Sequence, residues 1–169
     1  ADFTEDEWAS ALAALEAAKD SGQIRQFTGN NYAQLLAQGT IAACIAWSGD
    51  VIQLQFDNPD IKFVIPEAGG MLWSDNMLVP INAQHKANAE AWMNYYYDPA
   101  VAAECAAWVN YICPVEGAQE ELAKTDPKLA ENPLIFPPPD VQSKLHAYPA
   151  LSPGDERKMQ EAMAQVTGA

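Results

Sequence analysis

The stretch Ile41-Ala42-Ala43-Cys44-Ile45-Ala46-Trp47-Ser48-Gly49-Asp50 decides how this chain is read. Its first seven residues are apolar throughout, the pattern of a short strand covered on both faces. Such strands belong to parallel sheets flanked by helices. Cys44, inside the run, is expected to be a buried thiol. Ser48-Gly49-Asp50 closes the run, and a helix is expected to start at or just after Asp50.

Toward the N-terminus, Thr4 and Glu7 form a capping-box pattern, and Trp8, Leu12 and Leu15 recur at helical spacing. This predicts a helix over 4–20, ended by Ser21-Gly22. A short strand is expected at 24–28 and a helix over 30–38, with Gly39 as its stop. Toward the C-terminus, 61–65 is a β-branched run and 71–80 looks extended. A helix is expected from Lys86 to before Pro99, and another from Pro99 to about Trp108. The chain then reads as helical from Glu116 until Phe136-Pro137-Pro138-Pro139, a stiff extended break. The last two helices are expected over 140–146 and 153–166. Strand-then-helix alternation of this kind reads as α/β with a largely parallel sheet.

The composition suits a packed globular protein, with 49% hydrophobic and 19% charged residues. No apolar run reaches the roughly 20 residues that span a bilayer. Nine basic against 23 acidic residues give a formal charge of −14, which repels nucleic acid and anionic membranes and attracts small cations. No nucleophile-elbow, zinc-protease, dinucleotide-binding or P-loop motif occurs, and the three cysteines lack zinc-ligand spacing. His85 and His146 lie in polar helix-flanking segments. Nothing here calls for an enzyme, a cofactor or a metal. Cys105 and Cys113 are close in sequence, which suits either a disulfide in an exported protein or two unrelated thiols.

Two segments have the make-up of a binding site. Trp47-Ser48-Gly49-Asp50 follows one expected strand, and Trp73-Ser74-Asp75-Asn76 lies in another. Ligands of open α/β sheets bind beyond the strand C-termini. An aromatic face beside a carboxylate suits an organic cation: the acid takes an ammonium in a charge-assisted hydrogen bond, and the indole covers the methylenes. Tryptophans near strand ends also serve as ordinary core residues, and Asp50 also suits a helix cap.

At these segments the chain resembles the C-terminal half of bacterial spermidine/putrescine-binding proteins of ABC transporters. The likeness runs through residues 39–51, through Ile65-Pro66-Glu67-Ala68-Gly69-Gly70-Met71-Leu72-Trp73-Ser74-Asp75-Asn76-Met77-Leu78-Val79-Pro80, through 91–101, and through Glu131-Asn132-Pro133-Leu134-Ile135-Phe136-Pro137-Pro138. It implies a two-lobed, type II periplasmic binding protein-like fold that closes on its ligand. Residues 1–72 would belong to the C-terminal lobe, 73–130 would complete the N-terminal lobe, and 131–169 would return to the C-terminal lobe.

The resemblance also assigns roles. Trp47 and Trp73 would flank a polyamine, Asp75 would pair with an ammonium, and Asp50 and Tyr111 match residues used in the putrescine-preferring branch. A glutamine of the spermidine-preferring branch has no counterpart in 150–154, which tilts the expectation toward putrescine or another ligand. The implied activity is capture of a polyamine for an ABC transporter permease, in the periplasm or outside the cell. A lipid anchor on a preceding segment is one form this could take. Another small cation, an amino-acid-like solute, or little binding by this chain alone are the other readings. Family members are longer, so the resemblance implies a missing N-terminal part of the same protein as a partner. Without it, strands of the first lobe would show unpaired edges and apolar surface.

Overall fold

The computed structural model describes residues 3–168, which form two compact units. One joins the residues up to Asn31 with those from His146 onward, and the other is Tyr32–Leu145.

In the first unit, helix α1 (Glu5–Asp20) packs against the last helix of the chain, α9 (Pro153–Thr167). The capping box anticipated at Thr4 is made: the Glu7 amide donates to Thr4 Oγ1 at 3.2 Å, and the Thr4 amide donates to Glu7 Oε2 at 2.7 Å. This satisfies donors that the first helical turn leaves open. Ser152 caps α9 through the Asp155 amide, with Pro153 following in the first turn, where a missing N–H costs nothing. Lys19 Nζ donates to the Val166 carbonyl at 3.1 Å and Lys158 pairs with Glu5 at 2.7 Å, tying the two helices at both ends.

The second unit runs through α2 (Tyr32–Ala37), α3 (Ser48–Asp57), β1 (Gly70–Leu72), α4 (Lys86–Tyr96), α5 (Pro99–Val109), α6 (Ala118–Ala123), α7 (Pro127–Ala130) and α8 (Pro139–Gln142). Its core is built on α5. Ala102 and Ala103 are small enough for Val115, Ala118, Leu122 and Ala130 to pack closely against the helix, and one turn on, Ala106 packs with Ile52 of α3 and Ile135. Gly117 turns the chain into α6 at φ +83°, a conformation that residues with a β-carbon rarely adopt. Asp98 caps α5 by accepting the Ala100 amide at 2.9 Å. At the other end of α5, buried Asn110 adopts the left-handed conformation (φ 60°, ψ 23°), and its side-chain amide donates to the Ala107 carbonyl. Asn110 ends the helix and aims the chain into Tyr111. None of the described helices is long and apolar enough to cross a membrane.

The expected parallel sheet is not formed among the described residues. They hold two three-residue strands, β1 and β2 (Leu145–Ala147), which pair with each other; the Gly70 amide donates to the Lys144 carbonyl at 3.0 Å. The segments 24–28, 41–47, 61–65 and 73–80 carry no strand pairing. Ile45 is 99% exposed, Cys44 is exposed rather than buried, and Val64 and Leu78 also stand in solvent. The physical reason is that a strand exists only through the ladder it shares with a neighbour, and no neighbour for these runs lies in the described residues. The α/β expectation therefore survives here as helices joined by unpaired extended segments.

Candidate functional site

The N-terminus of α3 is the organising element. Trp47 is its N-cap residue, extended at φ −80°, ψ 137°, and its carbonyl accepts the first helical bond from the Val51 amide. Buried Val51 and Ile52 fix α3 against the unit's interior. This leaves Trp47 38% exposed at the start of the helix and Asp50 in its first turn, where a carboxylate complements the helix dipole.

Three side chains converge on these two. Tyr111 Oη donates to Asp50 Oδ1 at 3.0 Å, and Tyr32 Oη donates to Asp50 Oδ2 at 2.5 Å. The Tyr32 hydroxyl also accepts the Trp47 amide at 2.9 Å. Trp73 stands edge-to-face with both Trp47 (centroids 5.4 Å apart, 75°) and Tyr111 (6.1 Å, 61°). Such pairs add roughly 0.5–1.5 kcal/mol each beyond their buried area. Gly49 makes the arrangement possible, because a β-carbon there would lie under 3.0 Å from three ring carbons of Tyr111.

The electrostatics follow from this packing. Burial, then the hydrogen bond to Asp50 and its charge, push the Tyr111 phenol up to about 12, against a smaller opposing effect of the Asp50 backbone. Burial and Asp50 move the Tyr32 phenol in the same direction. Both phenols therefore stay protonated donors at neutral pH. A carboxylate offers about four acceptor positions and the phenols fill two, so Asp50 keeps capacity for a further donor. Its two hydrogen-bond partners among the described residues are neutral phenols.

The structure thus brings Trp47, Asp50, Trp73 and Tyr111 together. Asp75 lies two residues beyond Trp73, is exposed, and has no hydrogen bond or ion pair among the described residues. Tyr32 was not singled out by the sequence. It stands at the head of a helix, 18 residues before Asp50, and its only local signal is an aromatic ring in a polar setting.

Of the two readings of Cys105 and Cys113, a disulfide or separate thiols, the structure has both as free thiols. The Cys113 sulfur instead faces the Ala102 carbonyl at 4.0 Å within the core around α5, and burial pushes its thiol up. No group of three or more potential metal ligands is assembled among the described residues.

A model of the bacterial extracellular solute-binding protein family matches residues 1–137. The chain belongs to that family. Among relatives of this solute-binding protein, the putrescine-binding periplasmic protein PotF of Escherichia coli (strain K12) is 31% identical over 149 residues, covering 85% of this chain and 40% of the relative. The spermidine/putrescine-binding periplasmic protein of Salmonella typhimurium is 26% identical, covering 72% and 34%. The putrescine/agmatine-binding protein of Pseudomonas aeruginosa is 28% identical, covering 67% and 32%. The chain therefore spans 40% or less of the length of these relatives. The family implies a type II periplasmic binding fold, and the described residues supply a largely helical portion with few strands.

Proposed function

We propose that this chain contributes to both lobes around the ligand cleft of an extracytoplasmic solute-binding protein that captures a polyamine and delivers it to an ABC transporter. The observation that carries this reading is the cluster of Trp47, Trp73 and Tyr111 around Asp50, whose hydrogen-bond partners among the described residues are both neutral phenols. An ammonium set against these rings gains about 0.5–2 kcal/mol from the aromatic faces, and the charged hydrogen bond to the acid contributes about 1.5–3 kcal/mol. The carboxylate orients the cation, and the indoles cover its methylenes. Asp75, on the same segment as Trp73, is the second carboxylate of the reading and takes the other ammonium of a diamine.

Names of relatives that include putrescine, spermidine and agmatine support a cationic ligand of this class. Their greater length supports a further part of the same protein that completes the cleft. It would also cover the unpaired runs at 41–47 and 61–65. The two-lobed division at 72–73 and 130–131 belongs to this proposal, as does a periplasmic location.

Equilibrium dialysis against a panel of putrescine, spermidine, 1-aminobutane and neutral amino acids tests it. Retention of the polyamines over the monoamine and the amino acids is expected. Retention of the amino acids in preference to the polyamines would overturn it.

A further inference from the structure

The two phenols on Asp50 are not equivalent. Tyr111 shares its ring with Trp73 and belongs to the partly open aromatic cluster. Tyr32 is only 5% exposed, and its single hydroxyl is engaged twice: it donates to Asp50 Oδ2 and accepts the backbone amide of Trp47. That one oxygen therefore joins the N-cap of α3 to the first-turn acid of the same helix. In a capping box the N-cap amide is taken by the side chain at N3; here Asp50 stands at N3, and the Tyr32 phenol both takes the Trp47 amide and holds that acid.

Resting on the polyamine reading of this site, we propose that Tyr32 is its positioning residue: from behind the site it fixes the backbone of Trp47 and the carboxylate of Asp50 relative to each other. It touches no ligand. One Asp50 oxygen is held by Tyr32 and the other, in the aromatic cluster, by Tyr111, so the two bonds fix the carboxylate while leaving acceptor positions for an ammonium. Loss of the Tyr32 hydroxyl frees the carboxylate to rotate and leaves the Trp47 amide without its acceptor, while the ring still fills the core.

Tyr32→Phe tests this in two arms. In calorimetric titration with putrescine, affinity falls roughly tenfold, the scale of one hydrogen bond that positions a charged group. In the Asp50→Asn background the same change costs at most about twofold, because there is no longer a charge to position. Equal losses in both backgrounds would mean a merely structural role and would overturn the proposal. The second arm needs no ligand: hydrogen exchange at the Trp47 amide is faster in Tyr32→Phe than in the wild type. Unchanged exchange would overturn the positioning role. If the wild type itself binds no polyamine, the functional reading fails, and the exchange arm alone decides whether Tyr32 holds Trp47.

Discussion

The ring of Tyr111 lies so close to the backbone of Gly49 that no larger residue fits between them. In Gly49→Ala, the new methyl must push Tyr111 away and so lengthen its bond to Asp50. Alanine is the better helix former by about 1 kcal/mol, but overpacking costs typically about 1–3 kcal/mol. The expected outcome is a net loss of stability in chemical denaturation together with a several-fold weaker affinity for putrescine. A more stable variant with unchanged affinity would show that the Tyr111 contact does not hold the site.

The phenols give a prediction in alkaline solution. A phenol whose folded pKa is raised from 10.0 to about 12 stabilises the fold fully below pH 10, and that contribution is lost as pH rises from 10 to 12. Tyr32 acts in the same sense. Removing the charge in Asp50→Asn lowers both phenols, so ultraviolet titration of tyrosinate should show two groups ionising earlier than in the wild type. An identical tyrosinate curve for both proteins would contradict the hydrogen bonding at Asp50.

Ile135 is fully buried, and its carbonyl accepts the Cys113 amide at 3.2 Å, joining the Tyr111–Cys113 strap to the segment before the three prolines. Ile135→Ala should cost about 2–5 kcal/mol of stability, measured by denaturant midpoint, through the cavity it leaves. Molecules that remain folded should bind with near-native affinity, because Ile135 does not reach the aromatic cluster. A loss under about 1 kcal/mol would place it outside the core.

Helix ends and breaks were legible because their signals are local. Thr4 with Glu7, Pro99 after Asp98 and Pro153 after Ser152 each announce a helix start within four residues, and all three helices form. The 41–47 strand was not legible in the same way. Its apolar run records a preference for burial, but a strand also needs a partner, and none is present in the described residues. At the site, Trp47 and Asp50 could be read from their own segment. Tyr32 could not, because its role depends on a bond across 18 residues that no short-range pattern encodes.

Most direct for the central claim, that Asp50 amid three aromatic rings binds an organic cation, is calorimetric titration of putrescine into the wild type and Asp50→Asn. The account predicts saturable binding by the wild type and a loss of at least tenfold in Asp50→Asn, with the melting temperature reported alongside to exclude unfolding. Equal affinity in the two folded proteins would contradict it.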